Sequence, residues 1–187
     1  VNHIQFQVSA GTIAVTWNSR GLLQRVDWFY SGASPLAHLT PSQAAQWTAL
    51  AQAPIPSKIA DLLDRLRQFF LSGEPIGAVD AELLDMTGWS EFQKDTYRAL
   101  NSIPHGETRT YSWLARRVGQ VNASRAVGQA LRKNPLPILI PCHRVVSTKT
   151  LGGFMGSEDP DQPEMRFKKW LIDLEGLYIN PIFPFLG

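Results

Sequence analysis

The chain contains one cysteine, Cys142, so no disulfide can close within it and its fold must rest on buried apolar side chains. At 187 residues it can carry one good core, or two small domains that share an interface. With 44% hydrophobic against 18% charged residues it reads as an ordinary globular chain, and no stretch approaches the ~20 apolar residues of a membrane span. Val1-Asn2-His3-Ile4-Gln5 has neither the basic region nor the apolar run of a secretory signal. An unpaired cysteine points to a reducing compartment. The expectation is cytoplasm for a bacterium or archaeon and nucleus for a eukaryote, with no membrane partner. One cysteine and four scattered histidines do not make a metal-ligand cluster, and no cofactor motif is visible, so neither a metal nor a cofactor is expected.

The pattern divides near residue 88. Residues 1–30 read as three strands. Ile4 to Val8 alternates with period two, Thr12 to Trp17 follows a glycine turn, and Leu22 to Tyr30 is a β-branched and aromatic run. Gly32 to Pro41 reads as a loop. From Ser57 to Leu71 the residues Ile59, Leu62, Leu63, Leu66, Phe69 and Phe70 recur at helical spacing, and Ser72-Gly73 ends the run. Glu74 to Gly88 reads as a linker. The expected fold is therefore α/β in the α+β sense. A small sheet-plus-helix domain with its linker covers 1–88, and a mainly helical domain covers 89–187.

In that second part Ser90-Glu91-Phe92-Gln93 predicts a capping box, followed by a stripe of Phe92, Thr96, Leu100 and Ile103. Thr110 predicts the cap of a short helix ending at Gly119. Asn122 predicts the cap of a second, Ala123 to Lys133, with Ala126, Val127, Ala130 and Leu131 turned inward. Two short helices joined by about four residues read either as a helix-turn-helix or as a plain helical hairpin. A last helix is predicted from Lys168 to Glu175, closed by Gly176.

Charge selects between classes of function. Net charge is only +2, yet Thr108 to Ser157 holds Arg109, Arg116, Arg117, Arg125, Arg132, Lys133, Arg144 and Lys149 without one Asp or Glu. A one-signed stretch of that length suggests a face turned to a polyanion. The same stretch holds Cys142, in Pro141-Cys142-His143-Arg144 after the apolar run Asn134 to Ile140. Free cysteines are usually inert packing, whereas a thiolate beside imidazole and guanidinium is a nucleophile. Both readings stand on the residues alone.

Phe92-Gln93, Pro104-His105-Gly106-Glu107-Thr108, Tyr111, Arg125-Ala126-Val127-Gly128, Asn134-Pro135, Ile140-Pro141-Cys142-His143-Arg144-Val145-Val146, Leu151-Gly152-Gly153 and Trp170 to Gly176 occur in order. This series closely resembles the methylated-DNA–protein-cysteine methyltransferases, the O6-alkylguanine-DNA alkyltransferases. The likeness is strong from about Ser90 to Gly176. It implies an RNase-H-like N-terminal domain and a helix-turn-helix domain that binds double-stranded DNA containing O6-alkylguanine, as a monomer. It further implies a base-flipping DNA repair reaction, single-turnover, in which the alkyl group moves irreversibly from O6 of guanine to Cys142.

Carried over by resemblance, His143 is the base acting through a water, Glu175 orients the imidazole, and Asn134 holds the active-site turn. Tyr111 donates to the guanine and crowds a phosphate. Arg125 is the finger that fills the stack, beside Ser124, Ala126 and Gly128 on the DNA-binding helix. Val145, Phe154, Met155 and Lys168 are the substrate-base contacts. Two features depart from the pattern. Phe154-Met155 stands where a tyrosine and a small residue are common, and Ser157 to Met165 is a longer, acidic loop that reads as an insertion or a lid. Three other readings compete. An alkyltransferase-like damage-binding protein would bind without an acceptor, a cysteine hydrolase would use Cys142, His143 and Glu175, and a plain DNA-binding regulator would use the arginines but not the Pro-Cys-His-Arg environment.

Overall fold

The computed structural model describes residues 2–8, 11–30 and 55–176, in two compact units, 1–87 and 88–187. The loop expected at Gly32–Pro41 lies outside the described residues. No helix among the described residues is long and apolar enough to cross a membrane. Among the described residues the architecture is mixed α/β, with a small antiparallel sheet and five α-helices.

In the first unit, β1 (Asn2–Val8), β2 (Gly11–Trp17) and β3 (Leu23–Tyr30) form an antiparallel sheet in the order β1-β2-β3. Every residue of the central β2 is buried, because strands flank both of its edges. Gly11 opens it at φ 143°, where a Cβ would collide with the Phe29 carbonyl across the ladder. Helix α1 (Ser57–Ser72) buries all six residues of its predicted stripe, and Phe70 sets its ring 6.2 Å from Phe6 of β1. Gly73 closes α1 in the left-handed conformation, donating to Phe69 O at 2.8 Å. The expected linker is not loose. Asp85 N donates to Leu23 O at 2.8 Å, and the Asp85 carboxylate accepts from Asn18 and Gln24, both at 3.0 Å, so the segment runs along β3.

In the second unit, α2 (Glu91–Asn101) begins at a complete capping box, with Ser90 and Gln93 bonded reciprocally. Helix α3 (Tyr111–Arg117) is capped by the Thr110 hydroxyl, which accepts from Trp113 N at 3.2 Å. Helix α4 spans Ser124–Arg132. Its N-cap is Ala123 rather than Asn122, and no side chain caps it. Ala123 N donates to Gln120 O (2.8 Å) in a backbone turn that leads into the helix, leaving six residues, 118–123, between α3 and α4. Ala126 faces outward, against expectation; Val127, Ala130 and Leu131 alone make the inner face. The Tyr97 hydroxyl donates to Ala130 O at 2.9 Å and pins α2 to α4. Two short strands, β4 (Arg109–Thr110) and β5 (Val145–Val146), pair in parallel and bring the start of α3 beside the segment after Cys142.

Helix α5 runs Pro163–Leu174, starting five residues before the expected Lys168. Proline at the first helical position is preorganised for that conformation, and Glu164 suits the helix N-terminus. The acidic segment is accordingly shorter than it reads, since Pro163 to Met165 belongs to the helix and Met165 is buried.

Leu66 is fully buried while Leu71, one and a half turns later on α1, is 78% exposed. Leu66→Ala is expected to lose about 2–5 kcal/mol of unfolding free energy in urea titrations. Leu71→Ala should change it by less than about 0.5 kcal/mol.

Candidate active site

The turn that carries Cys142 is held by one side chain. Asn134 Nδ2 donates to Ile140 O at 2.9 Å and to Cys142 Sγ at 3.2 Å, while its Oδ1 accepts from Leu136 N at 3.0 Å. These bonds fold the Asn134–Ile140 run back on itself, with Ile138 at φ 75°. A β-branched residue rarely adopts that conformation, so the turn stores strain beside the sulfur. Cys142, His143 and Arg144 then form a single 3-10 turn.

Cys142 is 6% exposed, and its thiol lines a cavity of about 570 Å³. Tyr111 on α3, Ser124, Arg125, Gly128 and Arg132 on α4, and the stretch Gly152–Glu158 also line it. Burial pushes the thiol's pKa up, and the Asn134 hydrogen bond and the Lys168 charge only partly oppose this. Arg144 does not activate the sulfur as a cationic neighbour, because its guanidinium is committed elsewhere.

That commitment is to Glu175, just past the end of α5. Arg144 Nε and Nη2 reach the carboxylate at 2.9–3.2 Å, and Arg144 Nη1 donates to Ile103 O at 2.8 Å. The same carboxylate accepts from Gly106 N at 3.1 Å and meets His143 Nε2 at 2.9 Å. Burial alone would raise the Glu175 pKa, but the His143 and Arg144 bonds hold it far below the usual carboxylate range. Desolvation lowers the His143 pKa despite Glu175, so the imidazole is neutral at pH 7. With an anion on Nε2, the proton sits on Nε2 and Nδ1 keeps its lone pair. His143 Nδ1 is buried and has no hydrogen-bond partner among the described residues. His105 Nδ1 lies 3.6 Å from Glu175 Oε1. Neither His105, Gly106 nor the doubly used Arg144 stood out in the sequence as partners of Glu175, although all three lie in the quoted motifs.

The other expected residues divide. Tyr111 donates to Gly153 O at 3.2 Å; burial first, then the nearby Cys142 and Glu158, push its pKa up to about 12. It rests on Gly152, where a Cβ would come within 2.7 Å of the phenol ring. Arg125 is exposed at the cavity with Ser124 and Gly128, and Phe154 and Met155 form part of its wall. Ala126 is not at the cavity. One expected base contact is corrected. Lys168 is fully buried, and its ammonium donates to Val145 O (2.7 Å), Leu151 O (2.6 Å) and Gly153 O (3.0 Å), which leaves no N–H for a base. Burial takes its pKa down to about 8. Val145 is also fully buried, with its N–H on Cys142 O; its carbonyl accepts from Lys168 and keeps a second lone pair for the expected backbone contact to a base. Both brace the wall from behind.

Because the folded carboxyl of Glu175 has a lowered pKa, its stabilising effect is complete above the ordinary value of 4.5 and is lost as pH falls below it. Glu175→Gln should cost about 3–5 kcal/mol at pH 7, as for a broken buried pair. The gap between parent and variant in urea titrations should narrow steadily between about pH 5 and pH 2.

The family profile described as 6-O-methylguanine DNA methyltransferase, DNA binding domain, matches residues 91–177. A methylated-DNA–protein-cysteine methyltransferase of Methanosarcina acetivorans is 44% identical over 88 residues, 46% of this chain and 52% of the relative. One from Mycobacterium bovis is 37% identical over 123 residues, 65% of this chain and 68% of the relative. The alignments thus span roughly half to two thirds of these relatives. The crystal structure of Mycobacterium tuberculosis OGT in complex with DNA superimposes with a TM-score of 0.68 at 28% identity, covering 94% of this chain and 92% of that one. By these matches the chain belongs to the methylated-DNA–protein-cysteine methyltransferase family.

Proposed function

We propose that this chain repairs DNA by moving a methyl or larger alkyl group from O6 of guanine irreversibly to its own Cys142. One observation carries the reading: Cys142, the only cysteine, lines a cavity edged by the arginines of α4, in the same turn as an imidazole held by a buried carboxylate. In this reading α3 and α4 act as a helix-turn-helix on duplex DNA, the first unit is RNase-H-like, and the protein acts as a monomer.

The damaged base must leave the helix to reach a recessed sulfur, at a cost of a few kcal/mol. Arg125, exposed at the start of α4, fills the gap in the stack. A thiol with a raised pKa needs a base at the moment of reaction. His143 Nδ1 takes its proton through a water seated between the two groups. The resulting imidazolium is stabilised by Glu175, which stays ionised throughout. The Sγ–carbon bond forms as the O6–carbon bond breaks, and guanine leaves with a proton supplied by Tyr111, later replaced from solvent. Tyr111 keeps its proton at neutral pH, as a donor must. Asn134 holds the sulfur in line for attack. A thioether on the only cysteine has no thiol to release it, so each molecule acts once.

The rival readings lose ground on specific residues. A damage-binding relative without an acceptor has no use for a thiol at position 142. A hydrolase leaves the arginines of α4 unexplained.

Incubation with a duplex holding one O6-methylguanine should add one methyl to Cys142 by peptide mass, with one turnover per molecule. Cys142→Ser should abolish transfer and retain DNA binding that weakens steeply with salt. Arg125→Ala should slow transfer from duplex by about tenfold or more, roughly the loss of 1.4 kcal/mol of help in extrusion. It should leave transfer from the free base nearly unchanged. Equal rates on duplex would remove the finger role, and methylation elsewhere would remove the whole assignment.

A further inference from the structure

The acidic segment after Gly156 has no part in the mechanism above, yet one of its residues stands in the cavity. Asp159 is occupied locally, accepting from Asp161 N at 3.0 Å and Gln162 Nε2 at 3.2 Å, and Glu164 sits in the first turn of α5. Glu158 instead lines the cavity with Cys142.

Its position follows from a tight reversal of the chain. Phe154 and Ser157 exchange two backbone hydrogen bonds, at 2.8 and 2.9 Å, around Met155 and Gly156, whose φ angles are 48° and 92°. Two consecutive left-handed residues make the kind of turn that returns a chain directly over itself. Glu158 is thereby laid across Gly153. A Cβ at position 153 would stand 3.1 Å from Glu158 Cγ and 3.7 Å from its Oε1, so the glycine makes room for the acid. The wall beneath is firm, because Gly153 O accepts from both Tyr111 and Lys168.

The charged and titratable groups that share the cavity are Cys142, Tyr111, Arg125 and Arg132. The Arg132 guanidinium lies on the other side of the turn, 3.5 Å from where a Cβ of Gly156 would be. Among the described residues no salt bridge joins Glu158 to either arginine, so its charge is not cancelled in place. An alkyl group carried to Cys142 on O6 of guanine enters the volume that this carboxylate borders. Closure by DNA removes water from that volume and strengthens every charge interaction within it.

We propose that Glu158 is a specificity-determining residue, whose carboxylate selects against O6-alkylguanines with an anionic alkyl group and accepts neutral ones of the same size. This rests on the alkyl-transfer reading and adds to it a substrate class. Glu158 is exposed in the free protein, and like charges brought together in a cavity that DNA closes slow transfer by about tenfold or more.

The test uses three duplexes of one sequence, carrying O6-methyl-, O6-(2-hydroxyethyl)- or O6-carboxymethylguanine, and single-turnover transfer to the full chain. The hydroxyethyl group matches the carboxymethyl group closely in size without its charge. In the parent protein the hydroxyethyl adduct should react about tenfold or more faster than the carboxymethyl adduct. Glu158→Gln should shrink that ratio at least several-fold, and Glu158→Lys should shrink it further or reverse it. Equal slowing of both larger adducts would show that size alone decides, and would overturn the proposal. So would a ratio that neither variant moves, or a parent that prefers the anionic adduct because Arg125 and Arg132 dominate. Absence of transfer from every adduct, the methyl one included, would strike at the alkyl-transfer reading rather than at Glu158.

Discussion

The site depends on one buried carboxylate. Glu175 follows α5, receives two bonded groups from Arg144 and one from Gly106, and orients His143. An isolated carboxylate in that position would be protonated or would unfold its surroundings, because burying a charge without partners is costly. Here the donors hold it ionised, and the ionised form in turn dictates which imidazole nitrogen carries the proton. The helix end, the turn after α2 and the turn after Cys142 are therefore joined at a single point. The acid–base character of the site is a consequence of that join.

A second buried charge shapes the opposite wall. Among the described residues Lys168 has no carboxylate partner, and it spends its three protons on the carbonyls of Val145, Leu151 and Gly153. It thereby ties the strand after the catalytic turn to the glycine loop on which Tyr111 rests. The loop can be glycine-rich and still well placed, because its carbonyls are held from behind. Small residues at 152 and 153 leave space for the phenol on one side and for Glu158 on the other. The floor and the wall of the cavity are thus set by two charges that solvent does not reach.

Much of this was legible in the residues. The stripe from Ile59 to Phe70, the Ser90–Gln93 box and the Thr110 cap are local devices, determined by spacing within one or two turns, and each stands where its pattern predicts. The failures are equally physical. Asn122 has the chemistry of a cap, but a backbone turn from Gln120 to Ala123 carries the chain one residue further before the helix starts. Glu74 to Gly88 has the punctuation of a linker, but Asp85 finds Asn18 and Gln24 more than sixty positions away. The acids ahead of Lys168 resemble a loop, but proline and glutamate also suit a first turn, and α5 starts at Pro163.

For the site, the sequence determined which groups exist: one thiol, the histidine after it, an acid-free basic stretch and a glycine loop. Resemblance added candidate roles. Tertiary structure alone decided how their charges are used. It turned Arg144 away from the sulfur toward Glu175, raised the thiol's pKa by burial, sealed Lys168 behind the wall and laid Glu158 over Gly153. Side-chain type is local, but solvation and hydrogen-bond partnership belong to groups that meet only when distant segments pack, and those two quantities set the chemistry.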